Sequence, residues 1–236
     1  MNRLDVLGVG FDPVTMDEAV VRALGYINTH AGAYVCTPNP EIVMKARREP
    51  ELMAALRGAD MVLPDGVGIL WAAEKMGHPL PERVAGYDFL LALLARIRGS
   101  VYILGGTPGT AEAAGDAILR DYPNVTIAGC CDGYISDELA LIAAIGQTRP
   151  DLLMVCLGAS KQEQWMAAHR DLPVGLMIGL GGSVDVLAGK VKRAPLWWRA
   201  HKLEWLYRVL RQPKRLGRIL QLPRFMLAVA RQRKES

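Results

Sequence analysis

Short apolar runs alternate along the chain with longer stretches in which apolar residues recur at helical spacing. The runs at residues 3–10, 33–36, 60–63, 101–104, 125–128, 152–157 and 174–179 predict strands. The intervening segments at 15–29, 39–48, 66–76, 89–98, 110–121 and 136–148, with another running through Trp165 to residue 170, predict helices. Thr15-Met16-Asp17-Glu18 has the spacing of a capping box, Asn39-Pro40 reads as a cap followed by a first-turn proline, and Ser136 as a further cap. Helix 66–76 is apolar on most faces and reads as buried. Strands and helices that alternate across short turns predict an α/β fold, a Rossmann-like, mostly parallel sheet with helices on both faces.

Past residue 190 the pattern changes. Residues 190–236 hold 14 Lys or Arg against Glu204 and Glu235, a net +12, whereas residues 1–189 hold 14 basic and 22 acidic side chains, a net −8. The expected organisation is therefore an acidic α/β body at 1–189 and a basic helical appendage at 190–236. Three of the five tryptophans, Trp197, Trp198 and Trp205, fall in the appendage among Arg and Lys. Rings beside cationic stems suit a lipid headgroup layer, and they suit a nucleic-acid backbone equally; a solvated helical face is the plain alternative. No apolar run is long enough to cross a bilayer, and Met1-Asn2-Arg3-Leu4-Asp5 lacks the apolar segment of a signal peptide, so a cytoplasmic location is expected.

In a parallel sheet the turns leaving the carboxyl edge hold the ligand, which places Thr37, Asn39 and Asp65 where chemistry is expected. The plain reading of the same residues is turn formation and helix capping. The glycine pairs Gly105-Gly106 and Gly181-Gly182 would let a backbone approach a nucleotide. The dinucleotide fingerprint lacks its third glycine at Gly8-Val9-Gly10, and there is no Walker-type phosphate loop and no G-x-S-x-G elbow. Cys36, Cys130, Cys131 and Cys156 have neither zinc nor disulfide spacing, and Cys156 lies in an apolar run as a core residue would. The four histidines share no ligand spacing and no D-x-D occurs, so no metal site is expected.

Six ordered stretches resemble the WecG/TagA/CpsF glycosyltransferase family: Thr37 to Glu41, Leu63 to Gly66, Leu104 to Gly106, Gly158 to Trp165, Gly181 to Gly189, and Arg193-Ala194-Pro195 with Leu203 to Arg208. The resemblance implies an inverting, metal-independent transfer of N-acetylmannosamine or a related sugar. The donor would be a UDP-sugar, a substrate and not a cofactor, and the acceptor polyprenyl-diphosphate-linked N-acetylglucosamine. It places the protein peripherally at the inner face of the cell membrane, in contact with anionic lipid and not nucleic acid, with a homo-oligomer left open. Asp65 aligns with the general base. Arg83, Arg208, Arg215 and Arg218 would steady the departing diphosphate, with Thr37, Asn39 and Gln162 lining the pocket. Tyr134, Lys161, Gly105, Gly106, Gly181, Gly182 and Asp185 would lie toward the nucleotide. Ser160 departs from the proline usual in the family, and Gln212 from its glutamate. The alternative from another class is a non-catalytic nucleotide- or nucleic-acid-binding α/β protein with a polyanion-binding tail.

Overall fold

The computed structural model describes residues 3–195, 197–198, 206–207 and 221–235. Its centre is a six-stranded sheet made of β3 (Ala33–Cys36), β4 (Met61–Val62), β5 (Gly99–Gly105), β6 (Val125–Cys131), β7 (Leu152–Cys156) and β8 (Leu176–Gly179). The order across the sheet is β4-β3-β8-β7-β5-β6, and every pairing is parallel. Parallel neighbours require a crossover, which the helices supply. They are α1 (Met16–Asn28), α2 (Pro40–Ala46), α3 (Pro50–Gly58), α4 (Val67–Lys75), α5 (Gly86–Leu94), α6 (Thr110–Asp121), α7 (Glu138–Thr148), α8 (Lys161–Ala168), α9 (Ser183–Leu187) and α10 (Gln221–Glu235).

Strand alternation sorts the interior into two layers. Tyr34, Cys36, Tyr102, Leu104, Leu153, Val155 and Met177 face one layer, filled by α2, α3, α4, α8 and α10, with Leu141 and Ile145 of α7. Their neighbours Ala33, Val35, Val101, Ile103, Leu152, Met154, Leu176 and Ile178 face the other, filled by α1, α5, α6 and α9. The central strands are apolar at every position because both faces are covered. The Thr15 capping box is present, and Asn39 caps α2 ahead of Pro40.

The expected single strand at 3–10 is instead a hairpin. β1 (Leu4–Val6) and β2 (Val9–Phe11) pair antiparallel across Leu7-Gly8, both at positive φ as a two-residue hairpin turn demands. Its return path runs into Asp12, whose carboxylate is buried between Arg3 (3.0 Å) and Arg22 (2.8 Å) and accepts from the Val62 N–H at 2.8 Å. That carboxylate fastens the hairpin against the exposed side of edge strand β4, a position that would otherwise offer free backbone groups. The sequence pattern also assigns no element to α3, which Pro50 opens in its first turn. The cap of α7 is Asp137, one residue past Ser136, accepting from the Ala140 N–H. Finally, α4 is buried along Gly68, Ile69, Ala72 and Ala73 only, and keeps Val67, Leu70 and Trp71 half-buried.

Candidate active site

From β4 the chain passes through Leu63-Pro64 into Asp65, whose N–H donates to the Leu63 carbonyl at 3.0 Å. The Asp65 side chain keeps 28% of its surface exposed, with Arg83 Nε 3.5 Å from Oδ1. The Gly86 N–H donates to Oδ2 at 3.4 Å. Gly86 opens α5, so the carboxylate faces the positive end of a helix as well as a guanidinium. A side chain at Gly86 would meet Thr37 Oγ1 at 2.9 Å, which is why the smallest residue stands there. Thr37 Oγ1 donates across to the carbonyl of Gly179, the last residue of β8, at 3.2 Å. Three residues predicted from separate turns, Asp65, Arg83 and Thr37, are thus joined through a glycine that the sequence pattern does not single out. Asn39 Oδ1 accepts from the Ile42 N–H at 3.1 Å, so its acceptor is committed to capping α2 while its side chain lies beside Gly66.

The β7 and β8 turns meet at Gln162. Its Oε1 accepts from the Gly181 N–H at 2.8 Å and its Nε2 donates to Glu163 Oε1 at 2.8 Å. Glu163, which sequence reasoning passed over as a helix-start residue, is 1% exposed and also accepts from the Ser160 N–H at 2.6 Å. Burial pushes its carboxyl above the ordinary glutamate range, while the hydrogen bonds from Gln162 and Ser160 pull the other way. Because a carboxylate only accepts, it fixes which end of the Gln162 amide faces Gly181. Ser160, with φ at 77°, adopts a backbone that a proline ring forbids, and its Oγ donates to Glu49 Oε2 at 2.7 Å. Lys161 begins α8 as an exposed residue.

Around the β5 turn, Gly105 has φ at 132°, and a Cβ there would sit 2.3 Å from the Cys156 carbonyl oxygen. Only glycine allows this strand end to close over β7. The Cys156 thiol beneath it is pushed by burial up to about 12, which makes it the inert core residue its apolar run predicts. Gly106 accepts from the Gly133 N–H at 2.8 Å, bringing the β6 loop alongside; Tyr134 in that loop is 71% exposed. Lys190 Nζ donates to both Thr107 Oγ1 and Thr110 Oγ1, setting a cation at the glycine turn that was not anticipated. Asp185 Oδ2 lies beside Gly182. Two neighbourhoods result, one around Asp65 and one around Gly106, with the Gln162–Gly181 contact between them. Arg208, Arg215, Arg218 and Gln212 lie outside the described residues. Among the described residues, no three His, Cys, Asp or Glu side chains group so as to hold a metal ion.

A partly exposed carboxylate held by a cation and a helix amide, beside glycine turns at the carboxyl edge of a parallel sheet, lies where α/β enzymes bind their ligands. Residues 4–236 match the glycosyl transferase WecG/TagA/CpsF family, and the chain belongs to it. It is therefore a glycosyltransferase. A Bacillus spizizenii protein is 37% identical over 215 residues, covering 89% of this chain and 84% of the relative. One from Bacillus subtilis is 35% identical over 213 residues, covering 89% and 83%. A Staphylococcus aureus protein is 32% identical over 240 residues, covering 99% and 94%. All three are named N-acetylglucosaminyldiphosphoundecaprenol N-acetyl-beta-D-mannosaminyltransferase.

Proposed function

We propose that this chain transfers N-acetylmannosamine, or a closely related sugar, from a UDP donor to N-acetylglucosamine carried on a polyprenyl diphosphate, with inversion and without a metal ion. The observation that carries the reading is the Asp65 carboxylate, accessible at the strand ends and braced by Arg83 and the Gly86 N–H. In the reaction Asp65 takes the proton of the acceptor hydroxyl as its oxygen attacks the anomeric carbon. The bond from that carbon to the UDP oxygen breaks on the opposite face, and the electron pair leaves with the diphosphate. Arg83 holds the base in place, and Lys190 with the amides of the Gly105-Gly106 and Gly181-Gly182 turns is suited to the phosphates. Arg208, Arg215 and Arg218 are assigned to the same charge by the family resemblance. The relatives' names support the transferred sugar and the acceptor, and the clustering of Asp65, Thr37 and Gln162 around one sheet edge supports the chemistry. The reaction belongs at the cytoplasmic face of the membrane, where the acceptor's diphosphate is reached by a protein whose described helices include none long and apolar enough to span a bilayer.

The test is to incubate the purified protein with a panel of UDP-sugars and a short-chain lipid-diphosphate acceptor, with and without chelator, and to determine the product's anomeric configuration by NMR. A β-linked N-acetylmannosaminyl product formed equally in chelator is expected. UDP binding without transfer to any acceptor would favour a non-catalytic nucleotide-binding role.

A further inference from the structure

Arg83 reaches the Asp65 carboxylate from the connection between α4 and α5, outside any helix or strand. At the start of this connection the Gly77 and His78 N–H groups donate to the carbonyls of Glu74 and Ala73 at 3.1 and 3.0 Å, closing α4. At its end the Val84 N–H donates to the Pro64 carbonyl at 3.1 Å, directly before Asp65. Leu80 and Val84 are buried in opposite layers of the core. Between them stand Glu82 and Arg83, and Glu82 is not a solvated loop acid. Its Oε1 accepts from the Met16 N–H, the first amide of α1. The start of a helix leaves several amides without a partner in the helix, and it favours a negative group. The capping box uses Thr15 Oγ1 for the Glu18 N–H and Glu18 Oε2 for the Thr15 N–H, which leaves the Met16 amide to Glu82.

Helix α1 is a firm support, since it buries Ala19, Val20, Ala23 and Ile27, and its Asp17 accepts from Arg96 just past α5 at 2.6 Å. The Arg83–Asp65 pair has less to hold it. Arg83 Nε and Asp65 Oδ1 are 3.5 Å apart with side chains 27% and 28% exposed, a geometry that fixes a long side chain only weakly. The backbone from which Arg83 extends must therefore be fixed by something else, and the neighbouring residue is tied to α1. We propose that Glu82 is a positioning residue for Arg83: by holding the Met16 amide it sets the connection so that the next side chain meets Asp65. This rests on the proposed function, in which Arg83 holds the base, and adds to it a residue that acts only through its neighbour.

The Nε–H resonance of Arg83 in the full chain reports the placement directly, and its loss in Arg83→Lys assigns it. Glu82→Ala is expected to shift or broaden that resonance, whereas Glu82→Gln, which keeps the acceptor oxygen, leaves it in place. Met16→Pro removes the donor from the other side at a helix position where proline is tolerated, and should reproduce Glu82→Ala. Thr15→Ala weakens the same helix start through the capping box; it should lower the melting temperature and leave the resonance unmoved. In transfer assays Glu82→Ala should lower kcat about 10-fold or more with the KM for the UDP-sugar near that of the wild type, as expected of a misplaced group. Glu82→Gln should restore kcat, and in an Arg83→Ala background Glu82→Ala should cost nothing further. An unmoved Arg83 resonance in Glu82→Ala and Met16→Pro, an equal movement in Thr15→Ala, or a full further loss of transfer in the Arg83→Ala background would overturn the proposal. Absence of transfer in the wild type would count against the proposed function and leaves the resonance comparison to decide the role of Glu82 by itself.

Discussion

The proposed chemistry rests on the Asp65 carboxylate, which Arg83 and the Gly86 N–H hold in place. Arg83 holds Asp65 from one side, a half-exposed pair whose contribution to stability is small. Arg83→Ala is therefore expected to leave the melting temperature nearly unchanged while transfer falls about 100-fold or more, as when one charge-stabilising donor is lost. Wild-type kcat with a normal KM would remove Arg83 from the site. Glu163 behaves oppositely, being buried and structural. Its folded-state pKa is raised, so the folded chain takes up that proton before the unfolded chain does, and its carboxylate penalises folding above the raised pKa. Wild type should therefore gain stability relative to Glu163→Gln as pH falls from neutral toward the ordinary glutamate pKa, a trend that paired thermal melts would show. Gly105→Ala meets both a positive φ and a backbone oxygen at 2.3 Å, and should lower stability by more than about 1 kcal/mol in denaturant titration.

Elements whose period was sustained were legible in the sequence. The strands around Val35, Ile103, Met154 and Ile178, and the helix at Thr110–Asp121, follow from runs that only a doubly covered sheet or an amphipathic helix explains. The turns after Cys36 and Val62 were legible too, because Pro, Gly, Asn and Asp punctuate them. Failures had specific causes. The hairpin at 4–11 was merged into one strand because its two-residue turn contains Leu7, a residue without turn preference that adopts positive φ here. Gly86, Glu163 and Lys190 act through contacts between turns that are distant in sequence, which no local pattern encodes. Helix α10 buries Phe225 and Val229 in the same layer as Ile42, Val43 and Ala72. Phe225→Ala should then cost about 3–5 kcal/mol by equilibrium unfolding, and a loss below about 1 kcal/mol would show that α10 is not packed on α2 and α4.

At the scale of the molecule, charge and architecture divide the labour. The acidic residues 1–189 supply the sheet and Asp65, and the basic residues 190–236 include a helix that folds back beside the Asp65 turn, with Leu222 against Gly68. All of this depends on Asp65 acting as the base, and the rate of sugar transfer by Asp65→Asn tests that most directly. With UDP-N-acetylmannosamine and a short-chain lipid-diphosphate N-acetylglucosamine, transfer is expected to fall about 10²- to 10⁴-fold while UDP affinity stays near that of the wild type. Turnover by Asp65→Asn at the wild-type rate would contradict the account.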